Sequence, residues 1–173
     1  MLYWFLAGVL LLACTALLLY WLLIITEGVY LGRRLVVWLY DVSASRYDSI
    51  KQFDRDSESF FVTRPLLARL ASGPAPVVLD VATGTGRLPY FLLEEAIFNG
   101  RVIGLDPSAR MLSYAQDKLR SYRHRASLVQ QTAADLPFND DTFAAVTCLE
   151  SLEFVPDDSI ALREMFRVLQ PGG

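Results

Sequence analysis

The stretch VVLDVATGTGRLP, Val77 to Pro89, sets an apolar run against an acidic residue, then two glycines, then residues able to open a helix. The β-branched run reads as a buried strand. Gly84 and Gly86 permit backbone angles and close approaches that a Cβ forbids. A helix starting at Arg87 points its free N–H groups over the turn. Such a turn either cradles a cofactor or simply joins a strand to a helix. The dinucleotide fingerprint G-x-G-x-x-G wants a third glycine, and counted from Gly84 that place is held by Pro89.

Downstream the chain alternates. Arg87 to Phe98 has helical periodicity and stops at Asn99-Gly100. RVIGLD predicts a second strand, Ser108 to about Arg123 a second helix, and ASLVQQ a weaker third strand. FAAVTCL, Phe143 to Leu149, predicts a fourth strand. Asp157 to Leu169 predicts a helix with Ile160, Leu162, Met165, Phe166 and Leu169 on its apolar face. Strand–helix alternation with short connections implies an α/β fold with a doubly wound, Rossmann-like parallel sheet covered on both faces. Gly172-Gly173 then fall where such a fold places another strand, so the sheet reads as C-terminally incomplete.

Asp106 ends the second strand, 20 residues beyond Gly86. In open α/β folds an acidic residue at about that distance holds ribose hydroxyls. It can equally N-cap the next helix, with Pro107 at the first helical position.

Upstream, Leu2 to Ile25 is 24 residues without a charge. A helix of that length reaches ~36 Å and crosses a hydrocarbon core of ~30 Å with some tilt. Tyr3, Trp4 and Phe5 near one end, and Tyr20 and Trp21 near the other, suit the two membrane interfaces. A cleaved signal peptide fits less well, because no basic n-region precedes the run and the run is too long. LLAC, ending at Cys14, resembles a lipidation box, but eleven apolar or neutral residues follow it before the run ends. Arg33 and Arg34 lie just beyond the span and place that side in the cytoplasm. The chain thus divides into an anchor (1–26), a juxtamembrane and connector segment (27–60), and a globular domain (61–173). In the connector Leu31, Leu35 and Trp38 share helical spacing, and the arginines can meet lipid headgroups. Residues 41–60 are polar with short helical pieces, and 61–72 are helical up to the SGPAP break.

A formal net charge of −3 gives no footprint for nucleic acid. Two cysteines, Cys14 and Cys148, make no disulfide framework, and Cys148 reads as a small core residue. The basic patch KLRSYRHR, Lys118 to Arg125, reads as a solvated helix end, and it contains the single histidine, His124. No cluster of metal-ligand type is present.

LDVATGTG, VIGLDPSARML, AADLPFNDDTFAAV and ALREMFRVLQPGG, in this order, resemble class I S-adenosylmethionine-dependent methyltransferases. The resemblance runs from about Tyr40 to Gly173. YDVSASRYDSI, Tyr40 to Ile50, is similar to the N-terminal segment of the ubiquinone/menaquinone C-methyltransferase branch. The resemblance implies S-adenosylmethionine as cofactor. It implies that Asp80, Gly84, Thr85 and Gly86 surround its methionine part, that Asp106 holds the ribose, and that Pro107, Thr132 and Ala133 border the adenine. It also implies a lid that includes Tyr47 and Asp48. The sequence departs from the pattern at Ala82, where the first glycine is usual, at Thr132 in place of Asp or Asn, and at Ala144 and Leu149. Glu150 and Glu153 follow the fourth strand as candidates for substrate contact, or as solvated loop carboxylates. No catalytic residue is assigned.

These observations favour a single-pass, cytoplasm-facing methyltransferase acting on a small molecule or lipid at the bilayer. A non-catalytic tethered module and a nicotinamide-dependent oxidoreductase are the alternatives. The methyl acceptor and the oligomeric state are not legible.

Overall fold

A computed structural model describes residues 1–70, 75–149, 151–155 and 157–173. The expected helix end at 71–72 and Glu150 lie outside these residues. Helix α1 (Leu2–Tyr20) runs on into a π-helical turn, Trp21–Ile25. Together they make one 24-residue helix, long and apolar enough to cross a membrane, with none of its hydrophobic window buried. Helix α2 (Arg33–Ser43) follows, then α3 (Tyr47–Lys51), α4 (Arg55–Glu58), a π turn and α5 (Arg64–Leu70).

The remainder alternates: β1 (Val77–Val81), α6 (Arg87–Glu94), β2 (Arg101–Asp106), α7 (Ala109–Lys118), β3 (Ala126–Gln130), β4 (Ala145–Cys148) and α8 (Asp158–Val168). The four strands are all parallel, in the order β3-β2-β1-β4. The sequence-derived α/β class and parallel sheet are therefore found. Strand order reverses at β1, with β2 on one side and β4 on the other, which places the ligand-binding crevice at the carboxyl ends of these strands.

Alternate strand residues feed two cores. Leu79, Val81 and Leu105 meet Phe143 and the Ala161, Met165 and Val168 face of α8. Val78 and Val102 meet Leu70, Leu92, Leu93, Phe98 and Leu119 on the opposite side. Period-two alternation is what separates these sets. The expected face of α8 is thus corrected. Ala161, Met165 and Val168 are buried, whereas Leu162 and Phe166 are exposed. Residues 161, 165 and 168 share one helical face, and the small Ala161 lets the helix approach the sheet.

Helix α6 is also shorter than its periodicity predicted. It ends at Glu94, and Glu95 is extended (φ −70°, ψ 118°). Phe98 then folds back into the core, where it is 3% exposed. The guanidinium of Arg125 lies over its ring, 5.3 Å from the centroid.

Phe143 joins β4 to the end of α8. Its N–H donates to the Val168 carbonyl at 2.9 Å, and its ring, fully buried, meets Phe138 edge-on at 4.9 Å. Phe143→Ala is expected to destabilise the domain by about 3–5 kcal/mol. Urea unfolding of the detergent-solubilised chain measures this, and a loss below about 0.5 kcal/mol would contradict the packing of α8 on the sheet.

Candidate active site at the carboxyl ends of β1 and β2

Asp80 lies one residue short of the end of β1, in register with Thr147 of β4 and Gly104 of β2. It is buried and accepts two hydroxyl hydrogen bonds, from Thr83 at 2.7 Å and from Thr147 at 2.8 Å. A Cβ on Gly104 would stand 2.9 Å from Thr83, so this glycine makes room for the threonine. Burial pushes the Asp80 carboxyl up to about 6, against the opposing pull of the two hydroxyls.

The turn after β1 is tied to the turn after β2 by one carboxylate. Asp106 accepts the Gly84 N–H and the Ser108 N–H, one on each oxygen, both at 2.8 Å. Burial raises its pKa, while the two N–H groups oppose that shift. Of the two readings of Asp106 left open by the sequence, the N-cap is set aside. Ser108, not Asp106, is the N-cap of α7, and its Oγ accepts the Met111 N–H at 3.0 Å. That leaves the Asp106 carboxylate at the mouth of the crevice, 7% exposed.

The two glycines of the turn differ in environment. Gly86 (φ +78°) faces α7, where a Cβ would meet Ala115 Cβ at 3.1 Å and Leu119 at 3.3 Å. Helix packing accounts for it. Beside Gly84 the nearest atom to an added Cβ is Cε1 of Tyr47, at 3.9 Å. Ala82, where the family pattern has glycine, adopts φ +57°. An L-residue pays about 1–2 kcal/mol for this left-handed conformation.

Residues far upstream cover the turn. Asp48 accepts the Thr85 hydroxyl at 2.5 Å and pairs with Lys118 Nζ at 2.6 Å. Asp41 on α2 accepts the Ser108 hydroxyl at 2.5 Å. Tyr40 stacks obliquely on Tyr47 and edge-on against Phe154, at 5.9 and 5.7 Å. Behind them the Arg87–Glu58 ion pair, at 2.6 Å, ties α4 to the start of α6. The basic patch at 118–125 therefore needs correction. Lys118 pairs with Asp48 and donates to the Thr85 hydroxyl, and Arg125 donates to the Gly100 and Phe98 carbonyls. Opposite charges and carbonyls within reach hold these two side chains, while Arg123 and His124 are exposed.

Pro107 and Thr132 come together in a cleft of about 360 Å³, also lined by Arg33, Arg34, Val37, Gln130 and Gln131. Ala133 turns instead into the core beside Phe143. Glu153 is exposed on a short 3₁₀ turn, Leu152–Phe154. Thr83, Thr147, Ser108, Asp41 and Lys118 were not singled out by the sequence. Thr147 had a signal, as the one hydroxyl inside the apolar run of β4. Asp41 had none, because its partner is 67 residues away.

Two expectations follow. A carboxyl whose folded pKa is raised stabilises the fold below its unfolded value, and that contribution is lost as pH rises through the folded value. Between pH 4 and pH 7 the urea midpoint of the native chain should therefore fall relative to that of Asp80→Asn. Parallel profiles would contradict the burial of Asp80 as a charge. Ala82→Gly relieves the left-handed strain but loosens the unfolded chain by about 0.4–1 kcal/mol. Net stabilisation of up to ~1 kcal/mol is expected in the same assay, and clear destabilisation would contradict the φ of Ala82.

Comparison with known proteins identifies the family and the fold. A ubiquinone/menaquinone biosynthesis C-methyltransferase of Geotalea daltonii is 32% identical over 142 residues, covering 78% of this chain and 58% of the relative. The chain thus spans little more than half the length of this relative. Among solved structures, the [4+2]-cyclase SpnF superposes with a TM-score of 0.69 at 22% identity, over 81% of this chain and 57% of that one. An S-adenosylmethionine-dependent methyltransferase assignment from Methanococcus maripaludis superposes with a TM-score of 0.68 at 22% identity, over 77% and 60%. These two likenesses show the fold. Residues 78–173, more than half the chain, match the family described as methyltransferase domain, and the chain belongs to that family.

Proposed function

We propose that this chain carries the cofactor site of an S-adenosylmethionine-dependent methyltransferase that acts on a lipophilic, quinone-related acceptor at the cytoplasmic face of a membrane. The observation that carries the reading is the Asp106 carboxylate. It accepts one N–H on each oxygen. An ionised carboxylate offers about four lone-pair sites, so two remain for the paired hydroxyls of a ribose. Pro107 and Thr132 line the adjoining cleft on the side where an adenine would lie.

Charge supports the same ligand. Asp41, Asp48, Asp80 and Asp106 lie around the turns after β1 and β2, with Lys118 paired to Asp48, Arg87 acting on Asp80, and Arg33 and Arg34 on the adjoining cleft. The acids buried in the crevice are Asp80 and Asp106, and two carboxylates in a low-dielectric crevice favour a cation. When bound, S-adenosylmethionine supplies a methyl group already activated by its sulfonium. The chain's own task is then to bind, orient and exclude water. Asp80 and the Gly84 turn would border the methionine part. Asp106 would fix the ribose. Tyr47 would roof the turn, and the Tyr40, Tyr47 and Phe154 rings would offer apolar walls to a flat acceptor. Alignment of this kind supplies up to ~7–11 kcal/mol of a barrier. The quinone-related acceptor is inferred from the activity for which the Geotalea relative is named, and the membrane from the 24-residue apolar helix.

Asp106→Asn should weaken S-adenosylmethionine binding by about 10–100-fold, as expected for lost hydrogen bonds to a charged group. Calorimetry on the solubilised chain reads this, and binding of NADH without S-adenosylmethionine would overturn the proposal. Deleting residues 1–25 leaves the lid residues in place. It should reduce methylation of a bilayer-borne quinol precursor far more than that of a soluble analogue, and equal losses would remove the membrane from the reading.

A further inference from the structure

We propose that the outer face of α2 and of the elbow before it docks on the surface of an anionic bilayer. The inference rests on the membrane-anchored reading above and adds to it a specific contact surface.

The connection between the span and α2 is built as a folded elbow. Trp21 stacks on Tyr30 at 5.6 Å with an interplanar angle of 14°. Tyr40 donates to Glu27 across the elbow at 2.6 Å. Gly28 (φ +76°) packs so closely on α2 that a Cβ there would lie 2.8 Å from Leu39. Seven residues separate Ile25 from Arg33, which at full extension reach only ~25 Å. The contacts shorten that reach, so a helix anchored at Ile25 brings α2 to the headgroup layer.

The two faces of this segment differ in chemistry. Inward, Val36 and Ala44 are buried, and Asp41 and Asp48 are engaged by Ser108, Thr85 and Lys118. Outward, every fourth residue from Arg34 is exposed: Arg34, Trp38, Val42, Arg46 and Ile50. Tyr30, at 71% exposure, and Leu31 extend the row back to the elbow. Among the described residues Arg33, Arg34 and Arg46 have no acidic partner. Tryptophan and tyrosine partition to the membrane interface, and basic side chains beside a span are drawn to anionic headgroups. Asp41 and Asp48 are held by the domain and Tyr40 and Tyr47 pack inward. The exposed row carries Trp38, Arg46 and Arg34, the last also at the rim of the Pro107–Thr132 cleft, which is the polarity an anionic lipid surface selects. The same helix then has bilayer on one side and the cap of α7 on the other.

The test uses the full chain in vesicles of phosphatidylcholine and phosphatidylglycerol with acyl chains brominated near the headgroup. Trp4→Phe with Trp21→Phe leaves Trp38 as the only tryptophan, and the phenylalanine at 21 can still stack on Tyr30. Trp38 emission is expected to shift to the blue and to lose most of its intensity to bromine quenching. In the chain that also carries Arg34→Glu and Arg46→Glu, the loss should be markedly smaller. Equal quenching in that variant would overturn the charge complementarity on which the surface is assigned. A companion chain keeping only Trp21 reports the anchor. If Trp21 is quenched and Trp38 is not, the anchor stands and the docking surface is overturned. If neither is quenched, the anchor fails and the surface falls with it.

Discussion

The carboxylate of Asp106 holds this site in register. It sits at the end of β2 and accepts the N–H groups of Gly84 and Ser108, which belong to two different turns. One buried acceptor between the turns thus satisfies a backbone N–H of each. From there the hydrogen bonds continue outward. The Ser108 hydroxyl caps α7 and also donates to Asp41 on α2. A continuous chain of short polar contacts thus joins the glycine turn of the sheet to the helix that follows the apolar span. The parallel register of β1 and β2 places Val81 beside Leu105, and this brings the two turns within reach of one side chain.

Burying several carboxylates around one turn is costly, and the structure shows how the cost is contained. Asp80 is shielded by two hydroxyls but remains strongly raised, because hydroxyls replace water incompletely. Asp106 has two backbone donors, and the exposed Asp48 pairs with a lysine. A ligand with positive charge would relieve what remains of the penalty. Ala82 belongs to the same pattern. Its left-handed backbone is held by the strand before it and by the Thr83 N–H bond to Leu105 after it, not by its own preference. Strain of this kind persists only where the surroundings over-determine the backbone.

Much of the architecture was legible along the chain. The β-branched runs at Val77 and Val102 announced strands, and Asn99-Gly100 announced a break. The glycine turn and Asp106 were legible as the ends of the first two strands, where the structure has them. The errors share a cause. The apolar face of α8 was assigned by listing large side chains, whereas the buried position was won by the small Ala161. Phe98 was assigned to a helix by local periodicity, whereas the core beneath Arg125 claimed it for a loop. Lys118 looked solvated because its partner, Asp48, belongs to a segment 70 residues earlier.

What the sequence determined by itself was local and periodic: the apolar span, the alternation of strands and helices, the turn with Gly84 and Gly86, and the acid after the second strand. Those depend on neighbours within a few residues, where steric limits and hydrophobic period act directly. The tertiary structure alone decided which group capped α7, which glycine served packing and which faced the lid, and which acid met which base. It also decided that Asp41 and Asp48 would close over the crevice. These outcomes arise because a parallel sheet brings the carboxyl ends of distant strands together, and buried polar groups then take whatever partner the fold has placed within hydrogen-bonding distance.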